Sequence, residues 1–224
     1  MCGRFTQKSE RKVISLEFYV HDFVSDVLAS YNVAPGQEAG LIIGNGRNRY
    51  TRYRWGLVPF WAKDPSIGNR MINARAETVM EKPSFRQAFT ARRCLVPADG
   101  FYEWRKNGSS KTPFYVHLSS NRPMSFAGLW ETWRPNREGE EKETLHTFTI
   151  ITTEANDTLR ELHDRMPVIV PPEKRALWLN RDADPAELRG LLAPLDSSEI
   201  EFYEVSRMVN SPKNNAPECI EPVH

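Results

Sequence analysis

The sequence predicts an α+β fold: a single domain around a curved, largely antiparallel β-sheet or barrel-like core, with flanking helices. Three observations point there. The length of 224 residues suits one large domain, residues 1–224 reading as one unit with only about 218–224 as a short tail. Strand-like segments separated by short turns dominate from Cys94 to Val170. Helical and extended segments mix without the βαβ regularity that a parallel sheet demands.

In chain order, residues 7–30 carry apolar positions at mostly helical spacing, from Val13 and Ile14 to Val27 and Leu28. They read as one amphipathic helix, with Thr6 or Ser9 as its cap and Asn32-Val-Ala-Pro-Gly36 as its breaker. Gly40–Ile43 and Arg49–Trp55 flank Asn45-Gly-Arg-Asn48, a hairpin signal. Ala62–Asn69 reads as a loop, Met71–Ala74 as extended and Ser84–Ala91 as a short helix. Strands are expected at Cys94–Val96, Gly100–Arg105, Thr112–Leu118, Met124–Leu129, Thr147–Thr153 and Val168–Val170. Turns at Asn107-Gly108 and Ser119–Pro123 separate three of them. Ala155–Leu162, Pro172–Leu179 and Pro185–Leu192 read as helices, and Arg134–Lys142 as an exposed loop.

Composition narrows the class of function. A chain that is 40% hydrophobic and 11% aromatic can build a substantial core, and 26% charged residues is an ordinary globular value. The longest apolar runs, such as Thr147–Thr153 and Met166–Val170, are too short to cross a bilayer. The start, Met1-Cys-Gly-Arg-Phe-Thr-Gln-Lys8, has no apolar stretch behind its charges and predicts no signal peptide. Membrane proteins and secreted disulfide scaffolds are therefore excluded, and a cytoplasmic protein, nucleoid-associated if bacterial, is expected. The three cysteines, Cys2, Cys94 and Cys219, form neither a disulfide framework nor a C-x-x-C half-site. Nothing has metal-ligand spacing, and no phosphate-cradling glycine loop is present, so no metal and no cofactor are expected.

Charge is unevenly placed. Up to Thr112 there are 18 Lys and Arg against 10 Asp and Glu, leaving 12 against 19 beyond it, although the net charge is only +1. Arginine makes up 21 of the 30 cations, and ten of these lie between Arg47 and Arg105, interleaved with ten aromatic residues. Guanidinium groups for phosphates and rings for base faces compose a single-strand binding groove. Half-buried strand aromatics beside a solvated arginine face give the same pattern.

Four short polar islands could carry chemistry. Cys2, directly after the initiator methionine, would combine a thiol with a free α-amine once Met1 is trimmed. Such an amine titrates near pH 8, so part of it is neutral at pH 7 and can attack an aldehyde, and the thiol can then close a thiazolidine. A cysteine that merely opens a buried strand is the competing reading. Asn73, Arg75 and Glu77 alternate and share a face if extended. Glu103 stands between Tyr102 and Trp104, where desolvation would hold its carboxyl protonated as a general acid; a paired structural carboxylate is the alternative. Of the five histidines, His163 alone has polar neighbours on both sides and a proline-fixed turn; a structural histidine would look the same.

Seven ordered motifs then resemble one family. They are Met1-Cys-Gly-Arg-Phe5, Tyr31-Asn-Val-Ala-Pro-Gly36, Trp55-Gly-Leu-Val-Pro-Phe-Trp61, Ile72-Asn-Ala-Arg-Ala-Glu77, Arg93-Cys-Leu-Val-Pro-Ala-Asp-Gly-Phe-Tyr-Glu-Trp104, His163-Asp-Arg-Met-Pro167, and Val205-Ser-Arg with Lys213-Asn214. Together they look like the SOS-response-associated peptidase (SRAP) family, from Cys2 to about Pro217. Members of that family process abasic sites in single-stranded DNA.

The resemblance implies roles. Cys2, after loss of Met1, would be the nucleophile that forms a thiazolidine with the ring-opened abasic sugar. Asn73 would hold the sugar or the amine, Glu103 would shuttle protons, and His163 would act beside it as acid or base. Arg4, Arg75 and Arg165 would bind phosphates, while Phe60, Trp61 and Trp104 would line the strand's path. It also implies some lyase activity through the imine, loss of Met1 by self-removal or by a host aminopeptidase, and single-stranded DNA containing abasic sites as partner; a monomer is expected, and replication-fork partners are left open. Two rivals carry different expectations: a thiol peptidase using Cys2, His163 and Glu103, and a non-catalytic single-strand-binding module.

Overall fold

The structure is a computed structural model that describes residues 2–44, 46–108, 110–135 and 144–223. Most of the Arg134–Lys142 stretch read as a loop, and Asn45 of the hairpin turn, lie outside the described residues.

Thirteen strands are formed by the described residues: β1 (Phe5–Gln7), β2 (Val20–Phe23), β3 (Ser30–Val33), β4 (Glu38–Ile43), β5 (Asn48–Trp55), β6 (Asn73–Arg75), β7 (Arg93–Ala98), β8 (Gly100–Asn107), β9 (Ser110–Leu118), β10 (Met124–Trp133), β11 (Leu145–Glu154), β12 (Arg165–Pro167) and β13 (Ile200–Glu204). The expected β4–β5 hairpin is there, with Leu41 opposite Thr51. β4, β7, β10 and β11 follow antiparallel, and β11 then pairs parallel with β5 through Thr147 and Arg54, closing a five-stranded ring. β6 and β12 lie along the C-terminal half of β11, and β2 flanks β5. A second, antiparallel sheet runs β13-β9-β8-β1-β3. The fold is thus the α+β, barrel-centred domain that the sequence predicts.

β7 and β8 belong to different sheets, and Asp99 stands at the corner between them. Its carboxylate accepts from the backbone N–H groups of Lys8 and Ser9, and its own N–H donates to the Thr6 carbonyl at 2.9 Å. The N-terminal strand is thereby fixed across the barrel end. Phe5 enters the same core as Leu41, Trp55, Phe126 and Phe148, meeting the Trp55 ring edge-on at 5.0 Å. Burying such rings contributes about 2 kcal/mol each, and this core is what holds the chain's first residues in place.

The long N-terminal helix does not form. α1 spans only Arg11–Phe18 and ends at Tyr19, whose left-handed backbone (φ 50°) turns the chain. Val20–Phe23 then pairs with β5, because its amides find sheet partners there that a lone helix end would leave to water. Gln7, placed in that helix by the sequence, instead donates to the Gly40 and Pro97 carbonyls from β1. The expected Val168–Val170 strand is also shifted: the strand is β12, and Ile169 makes only an isolated bridge to Phe126. The other helices are shorter than expected: α2 (Arg86–Ala91), α3 (Asp157–Arg160), α4 (Arg175–Leu179) and α5 (Pro185–Gly190). Among the described residues no helix is long and apolar enough to cross a membrane. The C-terminal tail is packed rather than loose, with Cys219 fully buried against Tyr102, Tyr115 and Val209.

Candidate active site

Pairing of β1 with β8 sets Phe5 opposite Phe101, and the Tyr102 N–H donates to the Arg4 carbonyl at 3.0 Å. This pairing leads the chain's first residues toward Glu103, whose charge acts on the Cys2 thiol. Cys2 is fully buried in the barrel core. Burial raises its thiol pKa well above the ordinary value, and the nearby Glu103 charge raises it further.

Asn73 arrives from β6, which is held against β11 by the pairing of Asn73 with Ile150. Its side-chain amide donates to the Cys2 carbonyl at 2.9 Å. The Asn73 Oδ1 atom is buried and has no hydrogen-bond partner among the described residues. A buried, unfilled acceptor beside the chain's second residue is a place for an N–H or O–H donor.

Glu103 is only 4% exposed. Burial pushes its carboxyl up to about 7, with Asp164 adding to the shift. Glu103 is thus desolvated by burial in the fold, and near pH 7 the group can both give and take a proton. His163 follows α3 and sits beside Asp164, their Nδ1 and Oδ1 atoms 2.6 Å apart. The same Nδ1 lies 3.0 Å from the Arg165 backbone N–H. With its proton on Nε2 alone the ring accepts from Arg165 through Nδ1, whereas with a proton on Nδ1 it donates to Asp164, so the position of the ring proton selects the partner. Burial lowers the His163 pKa, while Asp164 opposes that shift.

Four sequence-distant segments thus bring Cys2, Asn73, Glu103 and His163 into one neighbourhood. Asp164, which interacts electrostatically with both Glu103 and His163, was missed by sequence reasoning although it stands next to His163 in the chain.

The residues expected to bind a strand divide. Phe60 and Trp61 are 52% and 48% exposed, and Arg75 is exposed as well. They follow a turn that needs glycine: Gly56 has φ +123°, and a Cβ there would come within 2.6 Å of the Gly68 carbonyl oxygen. Arg4, by contrast, donates to Asn32 Oδ1 and the Val209 carbonyl, both at 2.8 Å. Trp104 donates through Nε1 to Asn210 Oδ1 at 2.8 Å. Arg165 forks onto the Glu77 carboxylate at 2.5 and 3.0 Å and onto the Thr152 carbonyl at 2.6 Å. Asn32, also missed by sequence reasoning, donates to the Val209, Ser211 and Asn214 carbonyls. Most of the interleaved aromatics, among them Trp55, Phe89, Phe101 and Tyr102, are core residues. Among the described residues no three His, Cys, Asp or Glu side chains group as metal ligands.

Comparison with known proteins places this geometry. The profile of the SOS response associated peptidase (SRAP) family matches residues 1–212. The abasic site processing protein YoqW of Bacillus subtilis is 48% identical, with 99% of each chain covered. The abasic site processing protein YedK of Escherichia coli is 31% identical, with 100% of each chain covered. A crystal structure of a Bacteroides thetaiotaomicron protein superposes with a TM-score of 0.87 at 27% identity, covering 100% of both chains.

Proposed function

Because the chain belongs to the SRAP family, and its full-length relatives are abasic site processing proteins, we propose that it captures abasic sites in single-stranded DNA covalently through Cys2. The observation that carries this reading is the meeting of Cys2 with a buried carboxyl that titrates near pH 7.

Loss of Met1 would turn the Cys2 amide nitrogen into a free amine. That amine attacks C1′ of the ring-opened sugar, forming a carbinolamine. Protonated Glu103 donates to the departing hydroxyl, water leaves, and an iminium remains. The Cys2 thiol adds to the iminium carbon and releases its proton, closing the thiazolidine. Asn73 holds the N-terminal segment, and its open Oδ1 accepts from the amine or a sugar hydroxyl. His163 serves as a second acid or base, including in reversal. Abstraction of a C2′ proton from the same iminium would instead expel the 3′ phosphate, giving lyase activity.

This order suits the thiol. Burial keeps it neutral, which disfavours a peptidase that needs a thiolate at the first step and suits a thiol that acts second, on an already electrophilic carbon. Phe60 and Trp61 offer rings to unpaired bases, and Arg75 offers a charge to phosphate, which supports a single-strand preference without sequence choice. Arg4, Trp104 and Arg165 would join them only by sharing or exchanging their present partners. A monomer accounts for the whole reading, since every residue comes from one chain.

The test is untagged protein incubated with single-stranded DNA bearing one abasic site, run on a denaturing gel beside Cys2→Ala, with intact mass read on the shifted band. A heat-stable shift absent from Cys2→Ala, with the mass of the Met1-less protein plus DNA less one water, is expected. Correctly trimmed protein that gives no shift would overturn the proposal.

A further inference from the structure

The barrel has a second mouth, away from Cys2. It opens where β4 ends and β5 and β11 begin, and it holds a cavity of about 390 Å³. His146 in its wall stands four residues before Ile150, the partner of Asn73 on β11, a distance of roughly 13 Å along the strand. The cavity is therefore separate from the candidate active site.

Its wall is aromatic. Tyr53 and His146 stack with centroids 4.9 Å apart and planes 17° from parallel. Trp130 leans on Tyr53 at 5.7 Å. Among the described residues its charge has one sign: Arg49, Arg93 and Arg181 line it together, and no Asp or Glu does. Arg93 is engaged with backbone carbonyls, which leaves its positive charge uncancelled. Arg49 and Arg181 are exposed at the rim, and neither forms an ion pair among the described residues. Rings that offer π-faces, beside guanidinium groups with no carboxylate partner among the described residues, match a planar heterocycle joined to an anion. The volume lies within the range of small-ligand sites and accommodates one nucleotide.

We infer that this mouth is a second nucleotide-binding site, in which a base packs against Trp130 and His146 while its phosphate meets Arg49 and Arg181. The unit could belong to a free mononucleotide or to a nucleotide within a DNA strand; the chemistry recognised is the same. The inference is independent of the reading of Cys2.

Calorimetric titration tests it, using dAMP, inorganic phosphate and an undamaged 12-nucleotide single strand as probes. Wild-type protein should bind dAMP saturably, at least 10-fold more tightly than phosphate. Arg49→Glu and Arg181→Glu should each weaken dAMP binding at least 10-fold, with the circular dichroism spectrum and melting temperature unchanged. If the strand competes with dAMP and is itself weakened by both substitutions, the nucleotide is part of DNA; if it does not compete, the site takes free nucleotides. Absence of saturable dAMP binding, dAMP affinity indifferent to both substitutions, or phosphate binding as tightly as dAMP would each overturn the inference.

Discussion

The Asn73 side-chain amide donates to the Cys2 carbonyl at 2.9 Å, tying a strand beside β11 to the chain's second residue. An N-terminal segment would ordinarily fray. Here its carbonyl is held from one side while Phe5 anchors it from the other. Cys2, the proposed nucleophile, is thus held by a residue 71 positions away in sequence.

Asn73→Ala should slow abasic-site crosslinking at least 10-fold while leaving the fold intact. Leaving the Cys2 carbonyl without its donor costs about 1–2 kcal/mol, a melting shift of a few degrees in a chain this long. Asn73→Asp should crosslink more slowly still, since a carboxylate would face that carbonyl. Single-turnover gels together with thermal melts check both, and equal rates for wild type and Asn73→Ala would remove the positioning role.

Glu103 makes stability fall as pH rises. Its carboxyl titrates at about 7 in the folded protein against an ordinary 4.5, so between those values the folded state keeps a proton that the unfolded chain releases. Its contribution is fully present below about pH 4.5 and is lost by about pH 7, at an order of 3 kcal/mol. Glu103→Gln should lack this slope, so its stability relative to wild type should rise between pH 5 and pH 8. Urea unfolding at the two pH values measures this; parallel profiles would argue against the raised pKa. The same substitution should slow crosslinking without weakening binding to undamaged single strands.

Arg93 falls in the arginine-rich half yet serves the interior. Its guanidinium donates to the carbonyls of Trp178 at 2.7 Å, Phe89 at 2.5 Å, Thr90 at 2.9 Å and Asn180. It joins α2 and α4 to the start of β7. Arg93→Met should cost at least about 3 kcal/mol in urea unfolding, because several carbonyls lose their donor at once. A loss below about 1 kcal/mol would mean that water replaces the guanidinium freely.

Phe60 and Trp61 are exposed at about half their surface, so truncating them removes little packing. The double substitution Phe60→Ala with Trp61→Ala should leave the melting temperature within about 2 °C of wild type. It should weaken single-strand binding at least 10-fold, since stacking contributes about 1–3 kcal/mol per base. Fluorescence anisotropy with a labelled undamaged strand provides the measurement, and unchanged affinity would move the strand's path elsewhere.

Several features were set by sequence alone. Alternation and turn residues define the hairpin of β4 and β5 and the run of strands from β7 to β11, because each of those patterns is local. The polar islands at Cys2, Asn73, Glu103 and His163 stand out from apolar surroundings for the same reason. Tertiary structure decided the rest. Val20–Phe23 became a strand because β5 had an edge to pair with, and no periodicity within those residues encodes a distant partner. Composition could not say which arginines are left free to meet a ligand: Arg75 is exposed, whereas Arg4, Arg93 and Arg165 are engaged with backbone and side-chain oxygens of the fold. Nor could it supply the proton affinity of Glu103, which depends on how much water the packed barrel excludes. Local propensity writes the elements, while burial and long-range pairing decide which of their side chains are left to do chemistry.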